Sequence, residues 1–182
     1  MRRPLCAVIL FCCLPVTGAA LAATHRVSSL TELSTSAARI FRGTCVKVDT
    51  GTVTIAGARL SMTAYTFRVT DRLKGVSGAS TITFRQVGIP GGGSADLGQR
   101  AGLPVYTQGG DYLLLLLPES RVGLTSPSGA AEGAFEITRG RAMPLAARPT
   151  GVGRPEPSAP LTYEALRREI LGQAGPSQPL RR

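Results

Sequence analysis

The chain has 182 residues, 21 Lys and Arg against 11 Asp and Glu, a formal charge of +10 and a single histidine, His25. Ser-His-Asp and Cys-His nucleophilic devices need a histidine docked among partners, and no acidic pair sits two apart on a strand-like stretch, so the composition argues against an enzyme. Aromatic residues make up 5 %, there is no Trp, and no basic cluster of five residues occurs, which argues against nucleic acid as a partner.

Residues 1–22 read as a cleaved signal peptide. Arg2 and Arg3 open it, Leu5 to Val16 supply an apolar core, and Ala20-Leu21-Ala22 presents the small-x-small pattern of a cleavage site. Pro15, Thr17 and Gly18 interrupt the apolar run, which is too short for a spanning helix, so no membrane span is expected after cleavage. The expected location is secreted or periplasmic. Removing 22 of the 182 residues leaves 160, enough for one core, and takes the charge to +8. Cys6, Cys12 and Cys13 leave with the signal, so Cys45 stands alone and no intramolecular disulfide is expected. It reads as a buried small hydrophobe, with an inter-chain thiol as the alternative.

Ser29-Leu30-Thr31-Glu32 fits a capping box that opens a short helix to about Arg39. Ile40 to Val48 follows as a strand, Asp49-Thr50-Gly51 as a turn, and Thr52 to Ile55 with Arg59 to Met62 as a hairpin about Ala56-Gly57. Thr63 to Leu73 and Ser80 to Val87 alternate, with Tyr65, Phe67, Val69, Ile82 and Phe84 facing inward. Gly88 to Gly110 reads as a long loop. Its Gly91-Gly92-Gly93 run lacks the Lys-Ser/Thr of a phosphate loop, and no zinc-type cluster occurs, so no cofactor is expected.

The leucine run of Tyr112 to Leu117, stopped by Pro118, predicts a strand buried on both faces. Arg121 to Thr125 and Ala134 to Thr138 are further candidate strands. The domain therefore spans 23–145. A Pro/Gly-rich linker follows at 146–160, then a helix at 161–172 with a Tyr163, Leu166 and Ile170 stripe, then a tail at 173–182.

Phe41-Arg42-Gly43-Thr44, Tyr65-Thr66-Phe67-Arg68-Val69, Leu73-Lys74-Gly75, Thr81-Ile82-Thr83-Phe84 and Gly110-Asp111-Tyr112-Leu113-Leu114 occur in this order. In that layout the chain resembles the netrin-like domain, the OB-type barrel also found in tissue inhibitors of metalloproteinases, and small secreted bacterial proteins of unknown role. The resemblance covers about Arg39 to Thr138. It implies a mainly β fold, a five- to six-stranded antiparallel OB-type barrel with short N-terminal and C-terminal helices. It also suggests an inhibitor or accessory protein of an exported metalloprotease. The N-terminal zinc-ligating cysteine and the disulfides of those inhibitors have no counterpart here.

Two candidate sites emerge. Cleavage after Ala22 would start the chain Ala23-Thr24-His25, and an amine, two amides and an imidazole at position three can form a square-planar Cu(II) or Ni(II) site. A chance histidine in an extended leader is the competing explanation. Strand alternation also places Arg42, Arg68 and Arg85 on one outer face with Thr44, Thr66, Thr81 and Thr83, where OB-type barrels often bind ligands. An ordinary solvated face is the alternative. The basic balance points to anionic envelope polymers as partners, or to an exported protein.

Overall fold

Ser29 opens helix α1 (Leu30–Ser36), and the capping box forms as expected: its hydroxyl accepts from Glu32 N at 3.2 Å while Ser29 N donates to the Glu32 carboxylate at 2.8 Å. The structure, a computed structural model, describes residues 28–145 and 161–173. The signal segment, Ala23, Thr24 and His25, the 146–160 linker and tail residues 174–182 lie outside the described residues. Helix α1 ends before the expected Arg39. Ser36 Oγ turns back onto the Glu32 and Leu33 carbonyls, and Arg39 and Ile40 are drawn into pairing with Leu116 and Leu115.

Strands β1 (Arg39–Ile55) and β2 (Ala58–Lys74) form one long antiparallel hairpin. Ala56 and Gly57 both take positive φ, +48° and +81°, as a two-residue turn matched to strand twist requires. The turn expected at Asp49-Thr50-Gly51 does not form. Thr50 and Thr52 are β-branched strand formers, and Gly51 pairs with Met62, whose side chain covers the gap a missing Cβ would leave. Register shifts at Ile40/Phe41, Arg42/Gly43 and Cys45/Lys47 bend the inner half of the hairpin.

Strand β3 (Thr81–Val87) pairs with β2, and the loop after it contains a single helical turn, α2 (Leu97–Arg100). Strand β4 (Asp111–Leu116) pairs with β1, and β5 (Ala134–Thr138), β6 (Arg141–Pro144) and β7 (Leu161–Thr162) follow outward. The result is a seven-stranded antiparallel sheet, order β3-β2-β1-β4-β5-β6-β7, rather than five or six strands. Strands β6 and β7 carry too few residues for an alternation signal. Arg121 to Thr125 is not a strand. Leu124 and Pro127 make only single bridges, to Arg85 and Leu116. Around them Thr125 N donates to Arg85 O at 2.8 Å and Leu117 N to Ser126 O at 3.0 Å.

Helix α3 (Tyr163–Gln173) docks on the sheet. Thr162 Oγ1 accepts from Ala165 N at 3.2 Å and caps it, while Leu161 and Thr162 form β7 rather than the start of the helix and Leu161 stays half exposed. The apolar side chains divide by sheet face. Phe41, Tyr65, Phe67, Phe84, Tyr106 and Tyr112 dominate one layer with Leu114 and Leu116. Ile40, Leu113, Leu115, Phe135 and Ile137 form the other, closed by Leu33 and Ala37 of α1 and by Tyr163, Leu166 and Ile170 of α3. The leucines of β4 thus alternate between two layers, and the strand is buried on both faces as its sequence predicts. Among the described residues no helix is long and apolar enough to cross a membrane.

Candidate functional site

The expected alternation places Phe41, Phe67 and Phe84 in the aromatic layer, so their neighbours turn outward. Thr44 lies opposite Arg68, Arg68 opposite Thr81, and Thr66 opposite Thr83, the last two sharing a hydroxyl hydrogen bond of 2.9 Å. Arg68 is exposed and makes no hydrogen bond or ion pair among the described residues.

Arg42 is not the free guanidinium the sequence implies. Its Nη2 donates to Asp111 Oδ2 at 2.6 Å and its Nε to the same oxygen at 3.0 Å. The guanidinium also sits 4.4 Å from the centre of the Tyr163 ring. The Tyr163 hydroxyl and Arg167 Nε in turn donate to Asp71 Oδ2 at 2.7 and 2.6 Å. Burial alone would push the Asp71 carboxyl up, but these hydrogen bonds outweigh it and hold the group below its ordinary value. Arg42 therefore helps fasten α3 to the sheet. Arg85 is partly committed as well: its Nη2 donates to Val122 O at 3.3 Å and lies under Gly123, where a Cβ would strike it. Of the three expected arginines, Arg68 alone stands unengaged among the described residues.

Cys45 is fully buried in the bulged stretch of β1, and burial pushes its thiol up; a weak contact to Lys47 O opposes this. It is the small hydrophobe of the expected reading. Among the described residues no group of three or more His, Cys, Asp or Glu is placed to hold a metal ion.

A cleft lies on the inward side of β3, where the loop after it folds back. Gly88 takes φ +95° to end the strand, and its carbonyl accepts from Thr63 Oγ1 at 2.7 Å. Asp96 then locks the loop. Its Oδ1 accepts from Gly98 N at 2.9 Å and Gln99 N at 3.2 Å, and its Oδ2 from Ile89 N at 3.1 Å. Tyr106 returns the loop to the core, packing edge-on to Tyr65 at 4.9 Å and Tyr112 at 5.2 Å. Burial pushes its phenol well above the ordinary range.

The cavity left beneath the loop measures about 210 Å³, with Tyr65, Gln86, Val87, Ile89, Leu103 and Val105 among its walls. Gln86 is 4 % exposed. Its Nε2 donates to Pro104 O at 2.9 Å, and its buried Oε1 has no hydrogen-bond partner among the described residues. A second recess of about 300 Å³, bordered by Arg59 and Ser61, shares the Ile89 and Asp96 walls. Gln86 was available to sequence reasoning: it is the next inward position after Ile82 and Phe84, so a polar residue there breaks the apolar phase. Asp96 two residues before Gly98 is an ordinary side-chain cap signal, readable once the loop is suspected of containing a helical turn.

No protein-family model and no curated protein matches the chain.

Proposed function

We propose that this chain is an exported, non-enzymatic binding module on an OB-type barrel, contacting anionic envelope polymers through the outer face of β1, β2 and β3. The barrel reading draws support from the 124–127 segment. It makes one parallel bridge to β3 and one antiparallel bridge to β4, the two neighbours a fifth strand would need if β1, β2, β3 and β4 were to close into a barrel. In this reading Leu124–Pro127 stands for a degenerate fifth strand, as the netrin-like resemblance implies, while β5 to β7 extend the sheet beyond it.

The observation that carries the binding reading is Arg68. Ion pairs neutralise Arg39, Arg42, Lys47 and Arg167, whereas Arg68 stands exposed and unengaged among Thr44, Thr66, Thr81 and Thr83. A threonine-paved surface with an unpaired guanidinium suits a repeating polyanion, to which arginine can offer paired donors. The +8 charge left after signal removal strengthens the encounter at low salt. Arg85 contributes from the same face through the part of its guanidinium not used by Val122.

The test is retention on immobilised heparin. The wild-type chain elutes at a defined salt concentration, and the Arg68→Gln/Arg85→Gln double variant elutes distinctly earlier. Retention unchanged by the double substitution overturns this face as the contact surface.

A further inference from the structure

We propose that the open edge of β1 over residues 48–54 is an interaction surface for a second copy of this chain. The two β1 strands pair antiparallel about a two-fold axis at Thr52 and join the two ribbons into one four-stranded sheet. This edge is separate from the Arg68 face, and the proposal does not depend on the polymer-binding reading.

The first observation is where the backbone groups point. Strand β4 covers β1 from Arg39 to Thr44, and the chain just before β4 adds Cys45, whose N–H donates to Gly110 O at 2.9 Å and whose carbonyl accepts from Gly109 N at 2.8 Å. Beyond Cys45, β1 pairs with β2 alone among the described residues. Opposed residues of an antiparallel pair alternate between exchanging both backbone bonds and turning both groups away. Ser61 turns its carbonyl to the β3 side, where Gly88 N donates to it at 2.8 Å. Its partner Thr52 therefore turns N–H and C=O to the open edge. Val48, Thr50 and Thr54 follow by alternation, since no register shift falls between Lys47 and Ile55.

The second is the absence of anything that turns a strand away. Edges that stay single carry lysines, prolines, inward charges or bulges. Residues 50–58 hold no charge and no proline, and from Thr50 to Phe67 the one charged residue is Arg59. The register shifts of β1 all lie before residue 48. Beyond Ser61 the ribbon is only two strands wide, a width that is marginal in water until further strands join.

The third is self-complementarity, which selects a second copy over a foreign strand. The two-fold axis sets Thr52 against Thr52 and Thr50 against Thr54, pairs that exchange roughly six backbone hydrogen bonds and match threonine with threonine across the strands. On the other sheet face Val53 meets Gly51 of the second copy. Asp49 falls opposite Ile55, and Lys47, held to Asp49 by an ion pair of 2.9 Å, falls opposite Gly57. No like charges are opposed, so two strongly basic chains can approach at this edge. A contact of this size lies at the weak end of specific interfaces, and the dimer forms and dissociates with concentration.

Sedimentation equilibrium of the full chain, with amide hydrogen exchange at the same concentrations, tests the pairing. A monomer–dimer equilibrium is expected, and exchange at the Thr50, Thr52 and Thr54 amides should slow as concentration rises. Gly51 and Val53 point to β2 in both states, so their exchange should not change. Thr52→Pro removes a donor aimed at the open edge and spares the ladder to β2; it should weaken the dimer at least about tenfold. Thr52→Lys opposes two ammonium groups at the axis and should weaken it as well, which keeps the test intact if proline disturbs the hairpin. A chain that stays monomeric up to its solubility limit overturns the proposal. So does exchange at Thr50, Thr52 and Thr54 that is independent of concentration, or a dimer affinity that Thr52→Lys leaves unchanged.

Discussion

The two apolar layers of the sheet are built from different stretches of chain. The aromatic layer draws on residues from Phe41 to Ala134 and is closed from within by Tyr106, which the 88–105 loop inserts among Tyr65, Phe67 and Phe84. The aliphatic layer needs both ends: Leu33 and Ala37 from α1, and Tyr163, Leu166 and Ile170 from α3. The first is held by aromatic contacts that are mostly edge-to-face, with Phe67 and Phe84 stacked 5.7 Å apart and nearly parallel. The second is held by branched side chains and by a polar clasp of Asp71, Tyr163, Arg167 and Arg42 at its rim. Strand β4 belongs to both, Leu114 and Leu116 on one side, Leu113 and Leu115 on the other. Shared leucines couple the layers, so the sheet has one cooperative core with two differently assembled halves.

The largest expected effect lies in the aromatic half. Phe67→Ala removes the ring that touches Phe41, Phe84, Tyr106 and Tyr112, and should cost about 3–5 kcal/mol in urea unfolding. Ile170→Ala at the centre of α3 should cost about 2–4 kcal/mol. Its unfolding followed by helical and by tyrosine circular dichroism should still give coincident transitions. Separate midpoints would show that the aliphatic half melts on its own and would break the coupling through β4.

The clasp offers a smaller and pH-dependent effect. Tyr163→Phe keeps the ring under Arg42 but loses the hydrogen bond to Asp71, at a cost of about 1 kcal/mol. Asp71 is held below its ordinary value, so its stabilising contribution is complete above about pH 4, the unfolded value. It is lost as pH falls through the lower native value. Urea midpoints of Asp71→Asn and wild type should therefore converge on acidification, and a gap that persists at pH 2 would remove the clasp from the account. The smallest effect is Ser29→Ala, about 0.5–1 kcal/mol from the lost α1 cap, read as a modest fall in melting temperature.

Local pattern carried the parts of this fold that local forces decide. The alternation through Phe67 and Phe84, the capping box at Ser29, the leucine run of β4 and the Tyr163-Leu166-Ile170 stripe are each visible within about ten residues. The turn expected at Gly51 failed because a cross-strand partner, Met62, decides whether glycine is tolerated in a strand. Arg42 misled for the same reason at longer range. Asp111 lies 69 residues away, and only the pairing of β1 with β4 brings the two together. Tyr106 was hidden inside a glycine-rich loop, where no periodicity marks an inward residue. Of the candidate sites, the outer arginines were legible in position but not in engagement. The acceptor of Gln86 was legible in phase, though its missing partner is a tertiary fact.

The meeting of α1 and α3 over one layer has a topological consequence. The two ends of the described chain pack against each other, while the Ala56-Gly57 turn lies at the far tip of a ribbon whose outer residues, 53–55 and 58–60, pair only with one another among the described residues. Connectivity can therefore be rewired without disturbing the strand order. A circular permutant that joins the segment after Gln173 to Ser28 and opens the chain between Ala56 and Gly57 should reproduce the native amide spectrum outside the new ends.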